Sequence, residues 1–155
     1  MTETLTIRCD DVRTEEIIAL LSAHLTLMRT LSPPDSIHAL NLDGLRAPDI
    51  TFWRADADGE LRGCAALREL TVSTGEIKSM HTTASHRGKG VAAALLMHVM
   101  ATARRRGYRD LYLETGSQPG FQPARSLYTR HGFVECGPFA DYRDDPNSFF
   151  MTVKL

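Results

Sequence analysis

Cysteines and long apolar segments are scarce in this chain of 155 residues. Its three cysteines, Cys9, Cys64 and Cys136, are widely separated and form no Cys-x-x-Cys pair. This spacing argues against a disulfide framework or a zinc site, so we expect a reducing compartment, the cytoplasm, and no bound metal. The best apolar run, from Val91 to Met97, is far shorter than the roughly 18 residues of a membrane span, so we expect no membrane association.

Net charge is also nearly absent, since 18 Lys and Arg residues against 19 Asp and Glu residues leave a net charge of −1. A field that would gather nucleic acid is therefore missing, and we expect no nucleic-acid partner. The first residues, Met1 to Thr4, lack the basic and apolar regions of a signal peptide. With 43% hydrophobic residues, the length suits one packed domain, which we assign to residues 1–155.

Helical and strand patterns alternate along the chain. Thr14 is predicted to cap a first helix, whose apolar stripe recurs at helical spacing at Ile17, Leu21, Leu25 and Met28. Further helices are predicted at 38–45, 88–106 and 123–131, and strands at 5–9, 50–55, 61–70, 76–83, 110–114, 133–136 and 149–155. Because strands alternate with helices while hairpins also occur, the predicted class is α/β or α+β with a mixed sheet.

Two glycines lie between a predicted strand and the long helix, in the segment His86-Arg87-Gly88-Lys89-Gly90-Val91-Ala92. Glycine lets the main chain approach a ligand closely and adopt positive φ. The N–H groups of the first helical turn have no intrahelical partner, so a strand, a glycine loop and a helix N-terminus together form a phosphate site. Arg87 and Lys89 add positive charge beside it.

Other phosphate loops fit this segment less well. The P-loop spacing Gly-x-x-x-x-Gly-Lys-Ser/Thr is absent. The pattern Gly88-x-Gly90-x-x-Ala93, with Glu114 about 20 residues further on, matches a permissive dinucleotide fingerprint and implies an NAD-dependent enzyme. Two observations count against it: the strand at 76–83 is very polar for a buried parallel strand, and only about forty residues follow Glu114.

A second motif favours another family. Arg87-x-x-Gly90-x-Ala92 resembles the acetyl-CoA motif of the GCN5-related N-acetyltransferases (GNAT), and the segment Ala124 to Phe133 resembles their Ala-x-x-x-Tyr-x-x-x-Gly-Phe signature. The resemblance covers nearly the whole chain. It implies a mixed, mostly antiparallel sheet of six to seven strands, with a splayed central parallel pair and helices on both faces. It also implies an enzyme that transfers acetyl from acetyl-CoA directly to a primary amine of a small molecule, in a family where homodimers are common.

The spacing of apolar residues in the strand at 76–83 points to a local irregularity. Ile77 and Met80 are three residues apart, so strict alternation cannot bury both on one face. An extra residue near Lys78 and Ser79, a β-bulge, reconciles them. The resemblance implies a bulge at this place, because it separates this strand from the next and opens a cleft for the pantetheine arm.

The resemblance implies roles for residues around this cleft. The main chain of Met80 to Thr82 pairs with pantetheine, and the Met80 N–H is the candidate donor to the oxyanion. Tyr128 is the candidate proton donor to the departing thiolate; the alternative is a core tyrosine with a bonded hydroxyl. The full set of predicted cofactor-binding residues is Met80, His81, Thr82, Arg87, Gly88, Lys89, Gly90, Val91 and Ala92.

The catalytic base is left open among three residues. Glu76 and Glu114 are both candidates, acting through a water, with pKa values raised by partial burial. For Glu76 the alternative is a solvated residue that pairs with Lys78, and for Glu114 a carboxylate fixed by main-chain donors. His81 is the third candidate, although a lone histidine in a strand is more often structural.

The acceptor is not identified by the sequence. Specificity is assigned to the segment 32–48, to Trp53, to the loop 116–122 and to the turn 142–145. Arg29, Arg46 and Arg143 are candidate partners for a carboxylate, and Asp35, Asp43 and Asp144 for an ammonium, so a zwitterion such as an amino acid is one candidate acceptor.

The chain departs from the family pattern at one position, and two other functions remain open. Phe121 stands where many family members carry an asparagine that contacts the cofactor or a water. A catalytically silent acyl-CoA-binding module remains an alternative, as does a toxin-like member that acts on charged tRNA. The latter would need a basic face.

Overall fold

The computed structural model describes residues 4–38 and 41–155. Seven strands form one sheet: β1 (Thr6–Cys9), β2 (Ile50–Ala57), β3 (Glu60–Thr71), β4 (Thr74–Thr82), β5 (Asp110–Gly116), β6 (Val134–Cys136) and β7 (Ser148–Lys154). Four α-helices accompany them: α1 (Glu15–Leu31), α2 (Leu42–Leu45), α3 (Val91–Arg105) and α4 (Gln122–Arg130). Short 3₁₀ turns occupy Pro34–Ser36, Ala84–His86 and Pro119–Phe121.

The order of strands across the sheet is β1-β2-β3-β4-β5-β7-β6. Every neighbouring pair is antiparallel except β4 and β5, which are parallel. The mixed sheet with one central parallel pair confirms the predicted fold, and it is not the doubly wound parallel sheet of a dinucleotide-binding enzyme. The expectation that β4 is too polar for a buried parallel strand was nevertheless wrong. Strand β4 is central in the sheet, and its buried Glu76 and Lys78 are tolerated there because they pair with each other.

Helices cover both faces of this sheet. Helices α3 and α4 pack on one face, over a core that includes Trp53, Leu67 and Leu113. Helices α1 and α2 pack on the other face, over a second core that includes Phe52 and Ala66. Neighbouring residues of one strand therefore alternate between the two cores, as the pleat of a β-sheet requires.

Helix ends follow local sequence signals. The Thr14 hydroxyl accepts from the Ile17 N–H, as predicted. Helix α3 begins at Val91 rather than near Gly88, because Gly88 and Gly90 have φ angles of +75° and +84° and cannot belong to a right-handed helix. The helix predicted at 38–45 is shorter, 42–45, and residues 39 and 40 lie outside the described residues.

A β-bulge interrupts β4 where it was predicted. Cys64 of β3 faces His81 and Ala66 faces Lys78, so Ala65 lies opposite two residues, Ser79 and Met80. Ser79 has a φ of +53°, in the left-handed region. Strands β4 and β5 pair only over Thr74–Ile77 and 110–113, and beyond these residues they have no pairing with each other. The bulge therefore coincides with the opening of the central pair into a gap.

Candidate active site

The N-terminus of α3 opens onto one end of this gap. Gly90 is the N-cap of α3 and offers no capping side chain. Among the described residues, nothing accepts a hydrogen bond from the amides of Gly88 to Ala93. Adding a Cβ at Gly88 or Gly90 would meet no atom within 4 Å, so the loop has free space above it. Unpaired amides, open space and the positive end of a helix dipole are the components of an anion site.

A groove of about 570 Å³ extends from this loop to α4. Eight of the nine predicted cofactor-binding residues line it: Met80, His81, Thr82, Arg87, Gly88, Gly90, Val91 and Ala92. Lys89 is exposed and is not among the lining residues. The opposite wall consists of residues of α1, including Leu27 and Met28, and of α4. The groove therefore joins a candidate anion site to an apolar end, which suits a phosphorylated ligand with a long arm.

Tyr128 lies where the groove meets a second, smaller cavity within the gap. Its side chain is buried, and its ring lies edge-on to Phe133 with the ring centroids 5.7 Å apart. The hydroxyl forms no hydrogen bond with any residue that the structure describes, contrary to the alternative of a bonded core tyrosine. Burial, and to a lesser extent the charge of Glu114, raises the pKa of Tyr128 above its ordinary value, so the hydroxyl keeps its proton.

Glu114 reaches the same cavity from β5. Its alternation with Leu111 and Leu113 places it on the opposite face of the strand, as expected. Its Oε2 is fully buried and has no hydrogen-bond partner among the described residues. Burial raises the pKa of Glu114 to about 8. A carboxyl group whose pKa lies near neutrality suits proton transfer at physiological pH.

Glu76 is buried rather than solvated, with 2% of its surface exposed. Its Oε2 accepts from Lys78 Nζ at 3.2 Å and from the Tyr142 hydroxyl at 2.5 Å. Lys78 Nζ also donates to the Tyr142 hydroxyl at 3.0 Å and to the main-chain oxygen of His38 at 3.4 Å. One oxygen of Glu76 therefore accepts two hydrogen bonds, whereas Glu114 Oε2 accepts none from the described residues.

His81 pairs with His24 of α1, with 3.1 Å between their Nδ1 atoms. One ring must donate and the other accept, so the pair contains two different tautomers. Burial lowers the pKa of each histidine to about 4, and both are therefore neutral near pH 7. A base with so low a pKa is poorly matched to an ammonium group, which makes His81 a weaker candidate than Glu114.

Two residues that were predicted to contact the acceptor substrate have structural contacts instead. Trp53 is 3% exposed and belongs to the core under α3, where it packs edge-on against His98. Arg46 donates through Nε and Nη2 to the main-chain oxygen of Val12. Both predictions were wrong because the sequence does not show which face of β2 lies over α3, nor which carbonyl lies within reach of Arg46.

Phe121 is also structural. Its ring is buried against the main chain of Gly116, where an added Cβ would lie 2.1 Å from the ring. The position at which the family often carries asparagine therefore supplies an apolar wall to the gap, since Phe121 lines both the groove and the smaller cavity. The last position of β5, residue 116, is a glycine because only a residue without a side chain fits beneath this ring.

Sequence reasoning missed the contribution of α1 to the site. His24 and Met28 line both the groove and the smaller cavity. Leu25 and Met28 are only half-buried, unlike Ile17 and Leu21, and Met28 faces the gap rather than the core. The apolar stripe on α1 was visible in the sequence, but its two halves cover different surfaces.

Comparison with known proteins identifies the family. Residues 15–133 match the family model described as the acetyltransferase (GNAT) family. The chain belongs to the GNAT family. It is an acetyl-CoA-dependent N-acetyltransferase, and the loop at Arg87 to Ala92 is the segment that resembles the family's acetyl-CoA motif.

Individual relatives cover almost the whole chain. The chain is 54% identical over 149 residues to the uncharacterized N-acetyltransferase YsnE of Bacillus subtilis (strain 168), covering 96% of this chain and 99% of YsnE. It is 43% identical over 150 residues to the uncharacterized N-acetyltransferase YedL of Escherichia coli (strain K12), covering 97% and 94%. The PaiA N-acetyltransferase of Thermoplasma acidophilum, solved in complex with coenzyme A, shares the fold with a TM-score of 0.77 at 18% identity, covering 98% and 99%.

Residues 4–38 and 41–155 contain neither a cluster of metal-ligand type nor a helix of membrane-spanning type. No group of three or more His, Cys, Asp or Glu side chains in these ranges is arranged to hold a metal ion. No helix there is both long enough and apolar enough to cross a membrane.

The phosphate loop yields a test with a matched control. Gly90 and Gly107 flank the two ends of α3, have φ angles of +84° and +82°, and an added Cβ at either would meet no atom within 4 Å. Alanine at either position should lower the free energy of unfolding by about 1–2 kcal/mol, because L-residues disfavour positive φ. Only Gly90→Ala should also weaken acetyl-CoA binding, measured by isothermal titration calorimetry. Equal affinities of the two variants for acetyl-CoA would contradict the assignment of the loop.

Proposed function

We propose that this N-acetyltransferase moves the acetyl group of acetyl-CoA directly to a primary amine of a small molecule. The observation that carries the proposal is the gap between β4 and β5. The uncapped N-terminus of α3 lies at one end of the gap, and two largely unengaged side chains, Tyr128 and Glu114, line its cavity. A donor and an acceptor substrate that enter from opposite sides would meet between these two side chains.

The groove supports the position of acetyl-CoA. The amides of residues 88–93 suit its diphosphate, with Arg87 beside them. From Met80 to Thr82, β4 pairs with β3 but not with β5, so its β5 side offers main-chain groups to the amide bonds of the pantetheine arm, in the manner of an added strand. The thioester would then reach the cavity that Tyr128 and Glu114 line.

Glu114 is the base that the geometry favours, and Glu76 is assigned to positioning. An alkylammonium group has a pKa near 10 and must lose a proton before its nitrogen can attack. Glu114 has an unpartnered oxygen and a pKa raised to about 8, so it accepts this proton through a water more readily than a strongly acidic carboxylate would. The Lys78 and Tyr142 donors on Glu76 leave that carboxylate less suited to the same task.

Two side chains, Glu114 and Tyr128, accept and donate the protons of the acetyl transfer. The amine nitrogen forms a bond to the thioester carbon, the carbon–sulfur bond breaks, and the electron pair leaves with sulfur. Glu114 takes the proton that the ammonium loses before the attack, and the Tyr128 hydroxyl supplies one to the thiolate. After the attack the nitrogen loses a second proton, which replaces the one that Tyr128 gave up and leaves a neutral amide. The Met80 N–H, next to the bulge, is the candidate donor to the carbonyl oxygen as negative charge develops there.

Replacement of Tyr128 tests the proton donor. Tyr128→Phe should lower kcat by about 10²-fold or more with little change in the affinity for acetyl-CoA, because the ring remains and only the acidic proton is lost. The measurement is thiol release from acetyl-CoA in the presence of a panel of primary amines. Tyr108→Phe is the control, since it removes another buried hydroxyl, bonded to Glu69, away from the gap. An unchanged kcat in Tyr128→Phe would rule out this role. If the unaltered enzyme binds acetyl-CoA tightly but releases no thiol, the result would favour the catalytically silent acyl-CoA-binding module.

The pH dependence of kcat tests the base. The pKa of Glu114 is raised to about 8, so the ionised form that accepts a proton increases as the pH rises through 8, and kcat should increase with it. Glu114→Gln should lower kcat and remove this rise. The control is Glu135→Gln, which alters an exposed carboxylate on β6 and should leave the profile unchanged. A pH profile that is the same in Glu114→Gln and in the unaltered enzyme would contradict the assignment.

A further inference from the structure

Two cavities meet at Tyr142. The inner cavity, of about 120 Å³, is lined by Tyr128 and Glu114. The outer cavity, of about 1120 Å³, lies beyond it and is lined largely by β3 and by the loop between β6 and β7. Four residues line both cavities and so form the partition between them: His38, Glu76, Lys78 and Tyr142.

The Tyr142 side chain is fixed in this partition by contacts on several sides. Its hydroxyl donates to Glu76 and accepts from Lys78. Its ring lies 4.9 Å from that of Phe139, 5.0 Å from that of His38 and 5.5 Å from that of Phe150, measured between centroids. A ring held by three aromatic neighbours and two hydrogen bonds forms a defined wall.

The inner cavity is small for a substituted acceptor. A cavity of about 150 Å³ is known to hold one benzene molecule, so a volume of about 120 Å³ leaves little room for a ring or a branched carbon beside the reacting amine. The acetyl group of the donor must also reach this space.

Charge in the inner cavity disfavours a carboxylate beside the reacting amine. Of the described residues that line the cavity, Lys78 is the only lysine or arginine. Its three ammonium hydrogens already have acceptors in Glu76, Tyr142 and the main chain of His38. A carboxylate on the carbon that bears the amine would therefore lie beside Glu76 and Glu114 without a free cationic partner.

We propose that Tyr142 determines acceptor specificity by admitting only an aminomethyl group to the inner cavity. The acceptor is then a primary amine on an unbranched carbon, and the rest of the molecule lies in the outer cavity. This inference rests on the proposed amine acetylation. It favours a terminal amine over the α-amino group of an amino acid.

The unaltered enzyme provides the first test. The probes are n-butylamine and sec-butylamine, which are isomers that differ in one branch at the amine-bearing carbon. We expect kcat/KM for acetyl transfer to n-butylamine to exceed that for sec-butylamine by about tenfold or more, the range associated with one methyl group in a confined pocket. Equal values for the two isomers would overturn the inference.

Variants of Tyr142 test the partition itself. Tyr142→Ala merges the two cavities and should reduce the ratio of kcat/KM between the isomers to near one, whereas Tyr142→Phe keeps the ring and should keep the ratio. Because each ratio is measured on one preparation, loss of folded enzyme does not change it. If Tyr142→Ala does not yield folded protein, Tyr142→Leu, which also removes the ring, replaces it. A ratio in the ring-less variant that equals that of the unaltered enzyme would overturn the role of Tyr142.

Binding measurements separate this inference from the proposed function. Calorimetry on the CoA-bound protein measures the affinity for each butylamine without any transfer step. If no amine releases thiol from acetyl-CoA, the proposed function fails. Tighter binding of n-butylamine than of sec-butylamine would still support the size limit, and equal binding would overturn it.

Discussion

The incomplete pairing between β4 and β5 is the constraint on which the other features of the site depend. The two strands share hydrogen bonds over four residues, after which the bulge at Ser79 turns β4 away. Main-chain groups left without a partner at a sheet edge seek another strand-like chain. Here the free edge of β4 faces the groove that begins at the uncapped N-terminus of α3. One irregularity thus supplies both the space for an extended substrate arm and the polar groups that suit it.

The same gap gives two carboxylates different chemistry. Glu76 is stabilised by Lys78 and Tyr142, and together these three residues join β4 to the loop between β6 and β7. Glu114, on the neighbouring strand, has one oxygen without a partner among the described residues, and burial raises its pKa to about 8. Buried carboxyl groups in different surroundings separate into a structural group and a group suited to proton transfer. This division supports the proposed roles, positioning for Glu76 and proton transfer for Glu114.

The sequence predicted features that depend on local signals. Thr14 caps α1, Gly88 and Gly90 carry positive φ, and the spacing of Ile17 and Leu21 predicted buried residues of α1. The spacing of Ile77 and Met80 predicted the bulge. The errors arose where a residue's surroundings depend on distant parts of the chain. Trp53 was predicted to contribute to specificity but packs under α3. The polar strand β4 can be central because Tyr142, 66 residues from Glu76, donates a hydrogen bond to the buried Glu76 carboxylate. The partition at Tyr142 also depends on this long-range contact, and no local pattern indicates it.

Amide hydrogen exchange, resolved by residue with NMR, tests most directly whether the free main chain beside the gap holds the donor substrate. In the free protein, the amides of residues 88–93 have no acceptor among the described residues and should exchange rapidly. Addition of acetyl-CoA should slow exchange at these amides and within Met80 to Thr82, while the paired segment Thr74 to Ile77 should change little. If these amides are already protected in the free protein, or if acetyl-CoA leaves their exchange unchanged, the account is contradicted.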